Sequence, residues 1–168
     1  MPGFIIHMAV GQEYLRKHNM EYSEEFIKGT IAPDLVSDKS LTHYGKSPAY
    51  TNLGKYLEEN KLSTLYDKGF FLHLVTDYLF YNHYLDIIDK ATLHNDYDCT
   101  NSEIERKYNV KILDEVKDYA FHKDEKPKIL TLELIYKVID EISEYNLEDI
   151  EKEVKNKVEK WFIYKKLI

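Results

Sequence analysis

Cysteine is nearly missing from this sequence. The lone Cys99 excludes an internal disulfide framework, leaves the redox compartment open and reads as a small inert thiol. Glycine and proline are scarce as well, at six and four residues. With so few chain breakers, and with apolar residues recurring at intervals of three and four, the periodicity reads as helix almost throughout. Basic charge falls short of acidic, 23 Lys and Arg against 30 Asp and Glu, and the net −7 disfavours nucleic acid or an anionic membrane over most of the surface. Bound dications would reverse that sign locally. No run reaches the roughly 20 apolar residues of a spanning helix. The segment Met1–Val10 has no basic stretch and His7 interrupts its apolar run, which speaks against a signal peptide and makes the cytoplasm the expected location.

What remains is a soluble globular composition, 43% hydrophobic and 32% charged, in 168 residues. A chain of that size can bury roughly 70% of the surface it exposes unfolded. No repeat, Gly/Ser linker or low-complexity tract divides it, so residues 1–168 are expected to form one all-α domain of about six or seven helices. The first is expected from near Phe4 to His18, the second through Glu24 to Gly29, ended by the turn around Pro33. Ser47 before Pro48 predicts a cap and a first-turn proline, with a helix to about Asn60. Ser63 predicts the cap of the longest, central helix, which carries Phe70, Phe71, Leu74, Val75, Tyr78, Leu79 and Leu85 at core spacing. Ser102 with Glu105 matches a capping box that opens a helix to about His122. Another helix follows Pro127 to about Tyr145. Asn146 caps a last one, with Ile150, Val154, Val158, Trp161 and Phe162 as one apolar stripe. These C-terminal helices, over 102–166, belong to the same domain. The 15 Tyr read as rim packing with the hydroxyls in water.

Five of the seven His fall into a pattern with Asp: His7, Asp34, His43, His73, Asp77, His83, His94 and Asp98, with His18 and His122 outside it. Taken singly, each is more often a surface or satisfied core histidine, by roughly three to one. Spacing shifts those odds. His73 and Asp77, four residues apart, lie about 40° apart on one helix face and can address one metal ion. Their neighbours Leu72, Leu74, Val75 and Tyr78 are apolar, and an unpaired carboxylate buried there would cost several kcal/mol or become protonated. A metal ion removes that difficulty. His83 lies about 15 Å further along an ideal helix, which assigns it to a second position. His94 and Asp98 repeat the four-residue spacing and form another pair if their segment is helical, although Asn95-Asp96-Tyr97-Asp98 also reads as a loop. Asp34, after Pro33, and His43, within Leu41-Thr42-His43-Tyr44-Gly45, read as loop residues delivered onto a helical scaffold. Oxygen and imidazole donors without thiolate suit zinc, and also manganese or iron, at an open site.

Three stretches carry a more specific signal: Phe26-Ile27-Lys28-Gly29-Thr30-Ile31-Ala32-Pro33-Asp34, Thr42-His43-Tyr44-Gly45, and Phe71-Leu72-His73-Leu74-Val75-Thr76-Asp77-Tyr78-Leu79-Phe80-Tyr81-Asn82-His83. Their order and spacing resemble the bacterial zinc-dependent phospholipase C family and the fungal zinc-dependent single-strand nucleases that share its fold. The first resembles the family's Gly-x-x-Ala-Pro-Asp segment and the third its His-x3-Asp-x5-His helix. The resemblance covers about residues 3 to 98 and nothing after Cys99. It implies that Asp34, His43, His73 and Asp77 hold one zinc, that Asp77 bridges to a second held by His7, and that His83, His94 and Asp98 hold a third. Asp98 matches the nucleases, since the phospholipases place Glu there. Secreted relatives also ligate through a mature N-terminal Trp, where this chain has Met1-Pro2; the amine of Met1, or of Pro2 after Met removal, is the corresponding donor.

These readings lead to the expectation of a hydrolase of phosphate esters, above all a phosphodiesterase of phospholipase C type, using two or three zinc ions and Asp34 as general base. The expected substrate is a phospholipid or small phosphodiester, with single-stranded nucleic acid less favoured. Two alternatives stand beside it: a nuclease, or a metal-binding regulatory or structural protein without turnover. The adjacent His-Asp pair of another helical phosphohydrolase class is absent, because no His here is followed by Asp. Oligomeric state is not legible.

Overall fold

Helix starts in this chain, those of α1 and α3 aside, are set by short polar side chains that accept the first free backbone N–H groups. The computed structural model describes residues 3–86 and 89–165. The helices are α1 (Phe4–Lys17), α2 (Glu24–Ile31), α3 (Ser40–His43), α4 (Leu53–Glu59), α5 (Leu65–Leu79), α6 (Lys90–Tyr108), α7 (Leu132–Ile142) and α8 (Leu147–Lys155), and no strand occurs among the described residues. Ser23 caps α2 by accepting from the Phe26 N–H, Asn52 caps α4, Thr131 caps α7 and Asn146 caps α8. Thr64 and Asp67 form a reciprocal capping box at the start of α5. Short 3₁₀ turns fill the joints at Ala32–Asp34, Pro48–Tyr50, Asp114–Tyr119 and Glu159–Phe162, and a π-helical turn over Phe80–Tyr84 closes α5.

Several expected boundaries move, each for a local reason. Pro48 opens only a 3₁₀ turn, because Ser47 makes no capping bond and Thr51 leaves the helical region at ψ 125°, so the helix proper starts after Asn52. Thr64 rather than Ser63 caps α5, because it has an acid three residues on. The longest helix is α6 at 19 residues, against 15 for α5. Asp89 caps it, so Ser102 and Glu105 lie inside it. Asn109 ends α6 in the left-handed region at φ 49°, and the segment expected to continue as helix to His122 holds only the turn Asp114–Tyr119. The final stripe breaks as well: α8 stops at Lys155 and Lys157 adopts φ 55°, leaving Val158 and Phe162 exposed while Trp161 is fully buried.

One continuous hydrophobic core joins these helices, from Ile5 and Met8 of α1 through Phe71 and Val75 of α5 to Ile135, Ile139 and Ile150 near the C-terminus. Its tightest contact is between α2 and α5. A Cβ on Gly69 would collide with the Phe26 carbonyl, and one on Gly29 with the Tyr66 carbonyl, so the two backbones touch where both lack a side chain. This approach carries Thr30 down onto α5. On the far side of α5, Trp161 donates from Nε1 to Glu153 at 2.7 Å. Buried Tyr78 places its hydroxyl between the carbonyls of Lys160 (2.6 Å) and Ile163 (2.8 Å) and accepts from the Ile163 N–H. Buried Asp96 on α6 accepts from three successive backbone N–H groups, of Lys128, Ile129 and Leu130, at 2.6–2.9 Å. That grip fastens the connection into α7.

Candidate metal centre

Five side chains from four elements converge beneath the α2–α5 contact. His7 stands on the second turn of α1, Asp34 ends the Ala32–Asp34 turn, His43 is the last residue of α3, and His73 and Asp77 lie one turn apart on α5. Asp34 and His43 thus sit in short helical turns rather than loops. All five side chains are at most 1% exposed.

Backbone carbonyls decide how the imidazoles present themselves. The Thr30 carbonyl lies 2.7 Å from Nδ1 of His73, and the Lys39 carbonyl 2.9 Å from Nδ1 of His43. A carbonyl only accepts, so each Nδ1 carries a proton, and each ring when neutral turns a lone pair inward from Nε2. The two Nε2 atoms stand 3.2 Å apart. Asp77 Oδ2 lies 2.9 Å from His43 Nε2 and 3.3 Å from His73 Nε2. Asp34 completes the group, with Oδ1 3.6 Å from His43 Nε2 and Oδ2 3.8 Å from His73 Nε2. Lone pairs and carboxylates facing one another in a dry interior repel unless protons or a cation lie between them.

A divalent ion fits that description. Tetrahedral donors about 2.0–2.1 Å from zinc are about 3.3–3.4 Å from each other, and the five separations just given straddle that value. One donor atom from each of Asp34, His43, His73 and Asp77 lies within 4.8 Å of the others, so this buried group could bind a metal ion. Carbonyls on both ring Nδ1–H groups are the outer partners that metal-ligating histidines ordinarily have.

His7 stands at the edge of this quartet. Its ring stacks on His73 at 3.7 Å, and Nε2 lies 3.2 Å from Asp77 Oδ1 and 4.0 Å from Asp34 Oδ2. The contact with Asp77 is close enough for charge attraction but out of line for a hydrogen bond, and both ring nitrogens, Asp34 Oδ2 and Asp77 Oδ1 are buried without hydrogen-bond partners. Burial, then the neighbouring His73, pushes the His7 pKa down to about 4. Burial alone would lower His73 and raise Asp77. The opposite happens to both, because the Asp77 and Asp34 charges raise His73, while the His73 charge and contacts from His43, His7 and His73 hold Asp77 well below the usual carboxylate range.

The other three expected ligands are not brought together. His83 is exposed; the π turn at the end of α5 turns it toward the C-terminal segment, where burial and the Lys160 charge lower its pKa. His94 and Asp98 do share a helix, α6, but His94 is exposed and Asp98 pairs with Lys123 at 3.7 Å. Among the described residues these three form no ligand group. The terminal amine, at Met1 or Pro2, lies outside the described residues. Sequence reading missed Lys39, whose ammonium donates to Asp34 Oδ1 at 2.9 Å, and Tyr97, whose buried hydroxyl has no hydrogen-bond partner. Neither carries a sequence signal, since each is a common residue delivered by tertiary packing. Burial, with the Asp77, Asp34 and Asp96 charges, raises the Tyr97 hydroxyl well above its ordinary pKa.

Among the described residues no helix is long and apolar enough to cross a membrane. Comparison with family models, curated proteins and solved structures gives no match.

Proposed function

We propose that the chain is a metal-dependent hydrolase of phosphate esters, a phosphodiesterase of the zinc-dependent phospholipase C type. The observation that supports this most is the inward convergence of the His43 and His73 Nε2 lone pairs on two carboxylates, with both Nδ1–H groups tied to carbonyls. Asp34, His43, His73 and Asp77 would hold one ion. Asp77 turns Oδ2 to that set and Oδ1 to His7, the two-sided arrangement a bridging carboxylate needs. The incomplete set around His7 leaves room for substrate that the four-donor set does not. Bound dications would neutralise phosphoryl oxygens and acidify water at the cluster. Lys39 holds Oδ1 of Asp34, which leaves Oδ2 as the atom to accept a proton from the attacking water. A phospholipid or small phosphodiester suits an acidic protein better than single-stranded nucleic acid does.

Burial favours a second reading. Four protein donors on one ion, nearly sealed from solvent, is the form of a structural site, as expected of a regulatory or structural metal protein. Elemental analysis of chain purified without added metal, together with hydrolysis of bis(p-nitrophenyl) phosphate and p-nitrophenyl phosphate, separates the two. The hydrolase reading expects bound zinc, and diester turnover that chelation abolishes and zinc restores. Bound metal without turnover of either ester would overturn it in favour of the second.

A further inference from the structure

We propose that the cleft beside the metal centre, walled by Phe4, Tyr119 and Phe121 and floored by Tyr97 and Asn101, is a subsite for a compact apolar group carrying a hydrogen-bond donor. Its role as the seat of a phosphate ester's alcohol portion rests on the hydrolase reading; its binding chemistry does not.

Two buried atoms define the floor. Tyr97 and Asn101 are each 4% exposed, and the Tyr97 hydroxyl and Asn101 Oδ1 have no hydrogen-bond partner. The Asn101 amide donates from Nδ2 to the Phe121 carbonyl at 2.9 Å. Because a carbonyl only accepts, the amide cannot be turned over, and Oδ1 is left as a fixed, unanswered acceptor buried beneath the cleft floor, which a ligand reaches by displacing the side chains over it. An unanswered buried acceptor costs about 1–3 kcal/mol, and a ligand N–H or O–H removes that cost. Asp98, whose carboxylate pairs with Lys123 at 3.7 Å, stands in the same wall. A fixed acceptor selects a ligand that brings a donor and gives a carboxylate no hydrogen bond there.

Size and walls fix the rest. The cavity is about 260 Å³, just under the roughly 300–1,000 Å³ of pockets for drug-sized ligands, so it takes a ring or short branched group and not a pair of acyl chains. Tyr119 and Phe121 stay 61% and 60% exposed at its rim, and the Phe4 ring stands 6.2 Å from that of Tyr119. Such rings left in water offer stacking surface to a flat ligand. Phe4 is also one helical turn before His7, so a group seated here is next to the cluster.

The test uses the full chain as purified with its metal, titrated with phenol, aniline, toluene and benzoate and followed by amide chemical shifts. Phenol and aniline should bind about tenfold or more tightly than toluene or benzoate, with shifts at the cleft. Asn101→Leu should erase that preference. Should Asn101→Leu fail to fold, Phe121→Ala at the exposed rim should weaken all ring binding. Equal affinity for the four probes would overturn the donor argument, and no binding at millimolar concentration would mean that the floor stays closed and the cleft is no subsite. Diester hydrolysis is measured on the same samples. Probe binding without turnover would sink the hydrolase reading alone, whereas turnover whose KM and kcat ignore both variants would sink the subsite alone.

Discussion

Two helices of this protein carry a histidine followed four residues later by an aspartate, and they meet opposite fates. On α5, His73 and Asp77 are sealed from solvent, and the His73 Nδ1–H is bound by Thr30. On α6, His94 stands in water and Asp98 is taken by Lys123. The spacing sets only that two side chains share a face. What that face does depends on what packs over it: α2, pressed down at Gly29 and Gly69, covers the first pair, while an open cleft with an exposed aromatic rim adjoins the second.

The comparison is broken most severely at Asp77. Two dications about 3.5–4 Å apart repel by an amount on the order of 16 kcal/mol at an effective dielectric of 20, and a bridging carboxylate offsets it. Asp77→Asn keeps the shape and removes that charge, so metal content should fall by most of its complement, further than in His43→Ala. Full metal retention in Asp77→Asn would refute the bridging role. Chelation should come next in size. A ligand present at a thousand times its Kd stabilises by about 4 kcal/mol, and at about 2–4 °C per kcal/mol the chelated chain should melt roughly 8–16 °C lower. Calorimetry with and without chelator measures this, and an unchanged Tm would deny that metal and fold are coupled.

Acid offers a sharper cut between the two regions. In the metal-stripped protein His7 is held down to about 4, so between the ordinary value of 6.5 and 4 the unfolded chain takes up a proton that the fold refuses. That costs the fold about 3 kcal/mol as pH falls through the window, and nothing more below it. His7→Leu should flatten the fall of Tm over pH 6.5 to 4, whereas His94→Leu, at an exposed position where partial burial also lowers the imidazole, should flatten it less. Parallel curves for His7→Leu and the parent would remove His7 from this account. The smallest effect is expected of His94→Ala, which should leave metal content unchanged. Loss of one ion would restore the third site that the sequence suggests.

Much of the fold was legible because its signals are local. Asn146 and the apolar spacing of α5 act within a turn or two, and the structure puts α1, α2 and the start of α8 where the sequence places them or within a few residues. Errors came where two local signals compete. Ser102 and Glu105 have the pattern of a capping box, but Asp89 starts α6 earlier and overrides them. Within the quartet spacing alone made only the His73 and Asp77 pair legible; Asp34 and His43 joined it through the resemblance carried by Gly29-Thr30-Ile31-Ala32-Pro33-Asp34 and Thr42-His43-Tyr44-Gly45. Lys39, Tyr97 and Asn101 were not legible, since each reaches the site through packing between distant segments, as does Phe121, twenty residues beyond its partner Asn101.

The Tyr78 hydroxyl sets an order of events during synthesis. Its partners at Lys160 and Ile163 lie 82 and 85 residues downstream, and at about 5–20 residues per second the ribosome needs roughly 4–16 s to deliver them. All four donors of the quartet have been made before that interval begins. For those seconds α5 has the four candidate ligands but lacks the strap that satisfies its buried hydroxyl, so a metal ion held by the quartet would have a head start over closure of the core. Nascent chains stalled before Lys160 should already retain zinc above a His73→Ala control, and equal retention would mean that the strap must close first.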